Sequence, residues 1–258
     1  MIQYYPLQRI ELETCNVCTR QCKWCPHGSN EEFRKRKAEF LETQYIESLL
    51  NDLQELRFSG DLLLFSLNEP LIDKRICSGE LIRLSKKYLN PNCKVIIHTN
   101  GDLLTNEIIE NFINSGLDSI VVSCYDPEIV EKSYIFRKKY QERIDFVCTN
   151  HFANNYAELK YNRAGSIEAT SIKTLSYCLL PVFLAVVGFD GEIRICNFDV
   201  LGNHKVGNIK NISLRDIVNS KEYKILKSKI SSNRKDIFPC NKCNYEGYSM
   251  FGKDVKYI

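Results

Sequence analysis

The chain has 258 residues, 44% of them hydrophobic and 26% charged, with a formal net charge of +3. This is a globular composition with enough apolar side chains for a sizeable core, and it excludes a disordered chain and gives no field that would favour nucleic acid or an anionic membrane as partner. The first residues, MIQYYPLQRIELE, contain no basic segment followed by an apolar one, and no later stretch approaches the ~18 apolar residues of a membrane span. A cytoplasmic location follows as the expectation, and there the twelve cysteines are better explained by metal ligation than by disulfides.

In chain order, short β-rich runs alternate with helical patterns from Leu7 to about Cys148. The expected strands are Gln8 to Glu13, Leu62 to Leu67, Lys94 to Thr99, Ser119 to Cys124 and Arg143 to Cys148. Between them, Tyr45, Leu49, Leu50 and Leu53, and then Ile108, Ile109, Phe112 and Ile113, recur on single helical faces. Thr43 and Thr105 read as N-caps and Gly116 as a helix stop. Such alternation predicts an α/β protein with a mostly parallel sheet. The basic run Arg34 to Lys37 stands among Glu31, Glu32 and Glu39 and reads as a solvated loop or helix start.

After about Gly165 the pattern changes. VFLAVVGFDGEIRIC reads as an antiparallel hairpin, a helix starts near Ser213 and runs through Tyr223 and Leu226, and Pro239 to Cys243 forms a tight ligand loop. The chain thus divides into residues 1–165 and 166–258.

Two cysteine groups carry the chemistry. Cys18, Cys22 and Cys25 are spaced C-x3-C-x2-C, three ligands where a closed zinc site needs four. A four-iron cube held by three thiolates would keep one iron open, while Cys15 could complete a zinc site instead, and a C-x-x-C redox pair would leave the other thiols unexplained. Cys178, Cys196, Cys240 and Cys243 form a complete set of four, which suits zinc or a closed iron–sulfur cluster equally well. Cys15, Cys77 and Cys93 read as packing residues.

The C-x3-C-x2-C loop after the first strand, with Trp24 before its last cysteine, resembles the radical S-adenosylmethionine (SAM) family. LFSLNEPLI resembles that family's G-E-P segment, with Asn68 in place of glycine before Glu69 and Pro70; His98-Thr99-Asn100-Gly101 resembles its T-N-G turn; and Ser123-Cys124 ends the fourth strand where a polar residue often meets SAM. The resemblance implies Trp24, Asn68, Glu69, Pro70, Thr99, Asn100 and Ser123 as SAM contacts, and a partial (β/α)6 TIM-like barrel with its site at the carboxyl ends of the strands. The order hairpin, Gly207-Asn208-Ile209, helix and C-x2-C, with Asp199 three residues after Cys196, resembles the Twitch module, the shortened SPASM domain. That implies a small C-terminal module of hairpin plus helix holding an auxiliary [4Fe–4S] cluster. Asn162-Arg163-Ala164-Gly165 is similar to a stretch that places an arginine in the active site of such enzymes.

The resemblance implies two [4Fe–4S] clusters and SAM as cofactors, and a flavodoxin or ferredoxin as electron donor. It also implies a 5′-deoxyadenosyl radical that takes hydrogen from a small polyhydroxylated or amino-sugar-like molecule. If the carbon bears a hydroxyl, loss of a proton and a second electron to the auxiliary cluster gives dehydrogenation. Return of hydrogen from a thiol, with Cys124 or Cys148 as donor, would give epimerisation instead, and modification of a ribosomal peptide is the third option. Arg163, His98, His151 and Asp199 are the candidate proton handlers.

Overall fold

The computed structural model describes residues 7–151, 161–169 and 174–247. Among these, β1 (Arg9–Leu12), β2 (Asp61–Leu63), β3 (Lys94–Thr99), β4 (Ser119–Cys124), β5 (Asp145–Asn150), β6 (Leu184–Val187), β7 (Glu192–Arg194) and β8 (Lys205–Asn208) form one eight-stranded sheet. Its spatial order is β5-β4-β3-β2-β1-β6-β7-β8. β1 to β6 pair in parallel and β6 to β8 antiparallel, so the sheet is an open partial barrel of six parallel strands extended by two more. The helices are α1 (Pro26–Ser29), α2 (Glu31–Arg34) and α3 (Thr43–Glu55) after β1, then α4 (Lys74–Cys77) and α5 (Glu80–Tyr88) after β2. α6 (Asn106–Asn114), α7 (Pro127–Tyr140), α8 (Leu180–Phe183), α9 (Leu214–Asn219) and α10 (Lys221–Ser232) complete them.

The expected hairpin is present, but its first arm has a second role. β6 pairs with β1 in parallel from Arg9↔Leu184 to Leu12↔Val187 and with β7 antiparallel, so it is both the sixth barrel strand and half of the hairpin. One sheet therefore serves the halves on either side of residue 165.

Strand parity decides which residues can reach the site. Successive side chains face opposite sides of a sheet. Ile10, Leu12, Leu62, Val95, Ile97, Ile120 and Val122 share one core with the helix residues Leu49, Leu53, Ile82, Ile109 and Phe112. On the other face Leu63, Ile96 and Val121 form a small cluster with Val147. Two residues further along the same runs come Phe65, His98 and Ser123, so the apolar cluster is a floor and these three stand above it.

Several boundaries shift for local reasons. β2 ends at Leu63 because the N–H groups of Ser66 and Leu67 turn to the side chains of Asn68 and Glu13 instead of a neighbouring strand. β5 starts late because Arg143 and Ile144 still donate to Tyr140 O at the end of α7. Thr43 is the first residue of α3, with Glu42 as its cap, and the Thr43 hydroxyl accepts from Arg75 instead. Thr105 and Ser213 cap as expected, whereas the helix after Ser213 breaks at Ser220, whose hydroxyl caps α10 by accepting from Tyr223 N–H. Among the described residues no helix is long and apolar enough to cross a membrane.

The C-terminal helices are tied to the barrel by one buried carboxylate. Asp52 on α3 accepts from the Leu214 N–H at 2.7 Å, at the start of α9. Asp52→Ala leaves that donor unpaired and is expected to cost about 1–3 kcal/mol, read as a lower denaturation midpoint at unchanged m-value. An unchanged midpoint would mean that water takes over the carboxylate's place.

Candidate active site

After β1 the chain turns into the loop of Cys18, Cys22 and Cys25, and Cys25 is the N-cap of α1. Cys25 N–H donates to Cys22 O at 3.0 Å, and the Gly28 and Ser29 N–H groups return to Cys25 O at 2.9 and 3.0 Å. A Cβ on Gly28 would lie 2.3 Å from Cys22 O, so only glycine allows the loop to fold this closely over α1. The three cysteines open onto a cleft of about 600 Å³, part of it open to solvent, beyond the carboxyl ends of the parallel strands. Trp24, Asn68, Glu69, Thr99, Asn100, Ser123 and Arg163 line the same cleft. Pro70 does not: it begins a buried 3-10 turn behind Glu69.

The loop is held by residues that pattern reading missed. Arg20 Nε donates to both Asp102 oxygens, at 2.9 and 3.0 Å, and Arg20 Nη2 reaches Asp102 and, at 2.7 Å, Asp126. Thr19 Oγ1 donates to Asp102 at 2.8 Å, and Asn100 Nδ2 donates to Thr19 Oγ1 at 2.9 Å and approaches Cys18 Sγ at 3.7 Å. The loop after β1 is thereby clamped to the ends of β3 and β4. The only signal in the sequence was the position of Asp102 and Asp126 just past two strand ends.

Glu69 joins β2 to β3. Its carboxylate accepts from Leu71 N–H at 3.1 Å, Thr99 Oγ1 at 2.7 Å and Asn100 N–H at 2.9 Å. Burial nevertheless pushes it up to about 7. Cys15 lies apart from the cleft, fully buried, with its thiol donating to Glu69 O at 3.7 Å and accepting from Asn68 Nδ2 at 3.5 Å. All twelve cysteines are free. Burial, reinforced by the neighbouring thiols, pushes Cys18 up to about 12 and Cys22 up to about 11, and burial raises Cys25 as well. A positively charged metal centre relieves both penalties, which is the environment an iron–sulfur ligand set needs.

Cys178, Cys196, Cys240 and Cys243 come together around a second cavity of about 390 Å³, part of it open to solvent. Burial raises all four thiols, with mutual repulsion next for Cys196 and Cys240, the latter reaching about 12. Among the described residues no three His, Cys, Asp or Glu side chains converge on a single ion. The four thiols instead line one cavity. Arg234, buried in the wall, donates to Leu175 O at 3.1 Å and to Tyr245 O at 2.5 Å, and so ties the segments that carry Cys178 and Cys243.

Arg163 stands between the two cavities. It lines the first cleft, while the next residue, Ala164, lines the second. Arg163, Ala164 and Gly165 have φ of 47°, 53° and 84°, a left-handed turn that costs the two non-glycine residues roughly 1–2 kcal/mol each. Asn162 offsets this strain: its N–H donates to Asn244 Oδ1 at 2.8 Å, its Oδ1 accepts from Asn244 N–H at 3.1 Å, and its Nδ2 donates to Lys242 O at 2.7 Å. The Arg163 guanidinium lies 5.3 Å from the Phe198 ring centre.

The concave face beside the cleft is polar. Glu11, raised by burial, accepts from Ser66 Oγ at 2.8 Å and from Asn197 Nδ2 at 2.9 Å, and Glu13 pairs with Arg194 at 2.7 Å. His98 stacks on Phe65 at 5.3 Å; burial and then Arg9 hold it neutral, down to about 3, and its Nε2 is buried without a partner among the described residues. His151 stacks on Tyr125, which also meets Trp24, but does not line the cleft. Asp199 belongs to the second cavity.

Cys124 and Cys148, expected as hydrogen donors, are turned the other way. In register Val122 pairs with Cys148 on the helix-facing side, one residue out of phase with the cleft-facing Ser123 and Val147. Their thiols donate to Val122 O and to Ser133 O of α7, at 3.7 and 3.6 Å, and interact with each other, which lowers Cys124 and raises Cys148.

Comparison with known families gives two matches: residues 12–147 match the radical SAM superfamily, and residues 178–244 match an iron–sulfur cluster-binding domain of the SPASM type. The chain belongs to the radical SAM superfamily. It is a radical SAM enzyme whose cofactors are SAM and two [4Fe–4S] clusters. It is similar to the S-adenosyl-L-methionine-dependent 2-deoxy-scyllo-inosamine dehydrogenase of Niallia circulans, 24% identical over 241 residues that cover 91% of this chain and 92% of that one. Its fold is similar to that of BtrN in complex with AdoMet and 2-DOIA, with a TM-score of 0.79 at 21% identity over 95% of this chain and 98% of that one. It is also similar to anSMEcpe with bound AdoMet, with a TM-score of 0.61 at 15% identity over 88% and 80%.

Glu69 sets a pH dependence. With its folded value near 7 against an ordinary 4.5, the native state keeps a proton that the unfolded chain releases; its contribution to stability is complete below about 4.5 and is lost as the pH rises through 7. For the metal-free protein this amounts to about 3 kcal/mol. In Glu69→Gln the loss of stability between pH 4.5 and 7.5 is expected to shrink by that amount in denaturant titrations, and identical slopes in the two proteins would contradict it.

Proposed function

We propose that this enzyme is a radical SAM dehydrogenase that oxidises a secondary alcohol of a small polyhydroxylated or aminocyclitol-like substrate to a ketone. The observation that carries the reading is the place of Arg163, which lines the three-cysteine cleft while its neighbour Ala164 lines the four-cysteine cavity. In this assignment residues 1–165 are the SAM core and 166–258 the auxiliary module. Cys18, Cys22 and Cys25 hold the first cluster, and Cys178, Cys196, Cys240 and Cys243 hold the second. Trp24, Asn68, Glu69, Thr99, Asn100 and Ser123 contact SAM, with Pro70 shaping that wall from behind.

When bound, SAM and the first cluster supply a 5′-deoxyadenosyl radical, and the second cluster supplies an electron acceptor. The alcohol gives up a hydrogen atom from carbon, a proton from oxygen and one more electron. Arg163 holds the oxygen with its guanidinium fork and stabilises the negative charge that grows there as the proton leaves. His98 Nε2, neutral and unpartnered, and the polar groups around Glu11 offer further contacts to hydroxyl or amino groups. The dehydrogenase similarity over nine-tenths of both chains supports the substrate class. Epimerisation would need a thiol donor in the cleft, and Cys124 and Cys148 lie on the opposite face. A flavodoxin or ferredoxin is the proposed electron source, and a reducing cytoplasm is the compartment that suits free thiols.

Anaerobically reconstituted protein is expected to hold about eight iron atoms per chain, as two four-iron clusters. With an aminocyclitol in deuterium oxide it should form 5′-deoxyadenosine and ketone in equal amounts. Deuterium gained at carbon without a ketone would overturn the dehydrogenase reading. Arg163→Ala should lose ketone formation about a hundredfold at full iron content, with Arg163→Lys in between.

A further inference from the structure

One carboxylate organises the loop beside the four-cysteine cavity. Asp199 Oδ1 accepts from the N–H of Asn203 at 2.9 Å and from its side-chain amide at 2.7 Å, while Oδ2 accepts from the His204 N–H at 2.7 Å. Gly202 N–H closes the turn on Asp199 O at 3.0 Å. The turn delivers His204 into the wall of the cavity, beside Cys178, Cys196, Cys240 and Cys243. Its Nε2 is buried and has no partner among the described residues.

A buried ring nitrogen left unpaired costs about 1–3 kcal/mol, so its partner is to be sought in the space it borders. The neighbouring polar groups are already engaged: Arg234 donates to Leu175 O and Tyr245 O, and both Asp199 oxygens accept from the turn. Four thiolates saturate the four irons of a cube, so no iron is left for the imidazole. What a cube presents at its surface is sulfur, an acceptor.

We propose that His204 donates its Nε2–H to a sulfur of the second cluster, that Asp199 places it there, and that this contact sets the potential at which the cluster takes up its electron. His204 is a positioning and tuning residue, not a ligand. The physical basis is charge: reduction adds a negative charge to the cluster, the positive end of an N–H dipole stabilises that charge, and hydrogen bonds to cluster sulfur are one of the levers that set the potential. The inference rests on the assignment of the second cluster to this cavity.

The test is a redox titration of the holoenzyme followed by electron paramagnetic resonance, with His204→Leu and His204→Gln beside the wild type. At the potential where the wild-type second cluster is half reduced, the ratio of reduced to oxidised cluster in His204→Leu should fall about tenfold, equivalent to 59 mV for a one-electron couple. His204→Gln keeps an amide donor and should lose less than half of that shift on a logarithmic scale, while the first cluster titrates unchanged in all three. An unshifted His204→Leu, an equal shift in both variants, or loss of about four irons from His204→Gln would overturn the proposal. A wild type with only about four irons would instead remove the second cluster, and with it the basis for the inference.

Discussion

Seven thiols that repel one another once ionised have to be crowded at one end of a sheet, on loops that cannot hold them there unaided. Two like charges 4 Å apart at an effective dielectric of about 20 oppose each other by roughly 4 kcal/mol, whereas a typical internal hydrogen bond contributes about 1. The loops can therefore keep the cysteines near one another only while these stay protonated, which is the direction in which burial moves every one of the seven. A positively charged metal core among the thiols would complete the balance. What the fold contributes is preformed geometry, through Arg20 with Asp102 and Asp126 on one side and Arg234 on the other.

The same economy joins the two halves of the chain. β6 is shared between barrel and hairpin, and from the far side of that hairpin Arg194 and Asn197 reach back to Glu13, just past β1, and to Glu11 on β1. Asn197 directly follows Cys196, so a thiol of the second cavity is adjacent to a contact with the first strand. A buried pair such as Glu13 with Arg194 adds little net stability, because desolvation offsets the attraction, but breaking it leaves a buried charge. Such a pair therefore acts on register, holding the hairpin at one position against β1.

The elements that repeat were legible in the sequence. β3 and β4 begin and end where their apolar runs do, Thr105 and Ser213 cap as their positions suggest, and both cysteine sets gather as their spacings imply. What pattern could not give was anything set by long-range partners. β6 reads as one arm of a hairpin because a fully buried strand carries no mark of having a second neighbour. Arg20 looks like any loop arginine until Asp102 and Asp126 are beside it. Cys124 and Cys148 sit at strand ends, where donors were expected, but a period of two gives them to the helix side while Ser123 takes the cleft. End of strand was readable; parity needed the register.

Arg163 shows how far the site depends on its second half. A guanidinium on a turn with two non-glycine residues at positive φ would relax if nothing held it, and the bonds that hold it come from Asn162 to Asn244 and Lys242. Lys242 lies between Cys240 and Cys243, and Asn244 follows Cys243, so the loop that presents two thiols to the second cavity also anchors the arginine facing the first. Order in that loop is thus a condition for the position of Arg163. The second cavity serves the first cleft through geometry, because the arginine that faces the cleft is fixed by the loop that presents two thiols to the cavity.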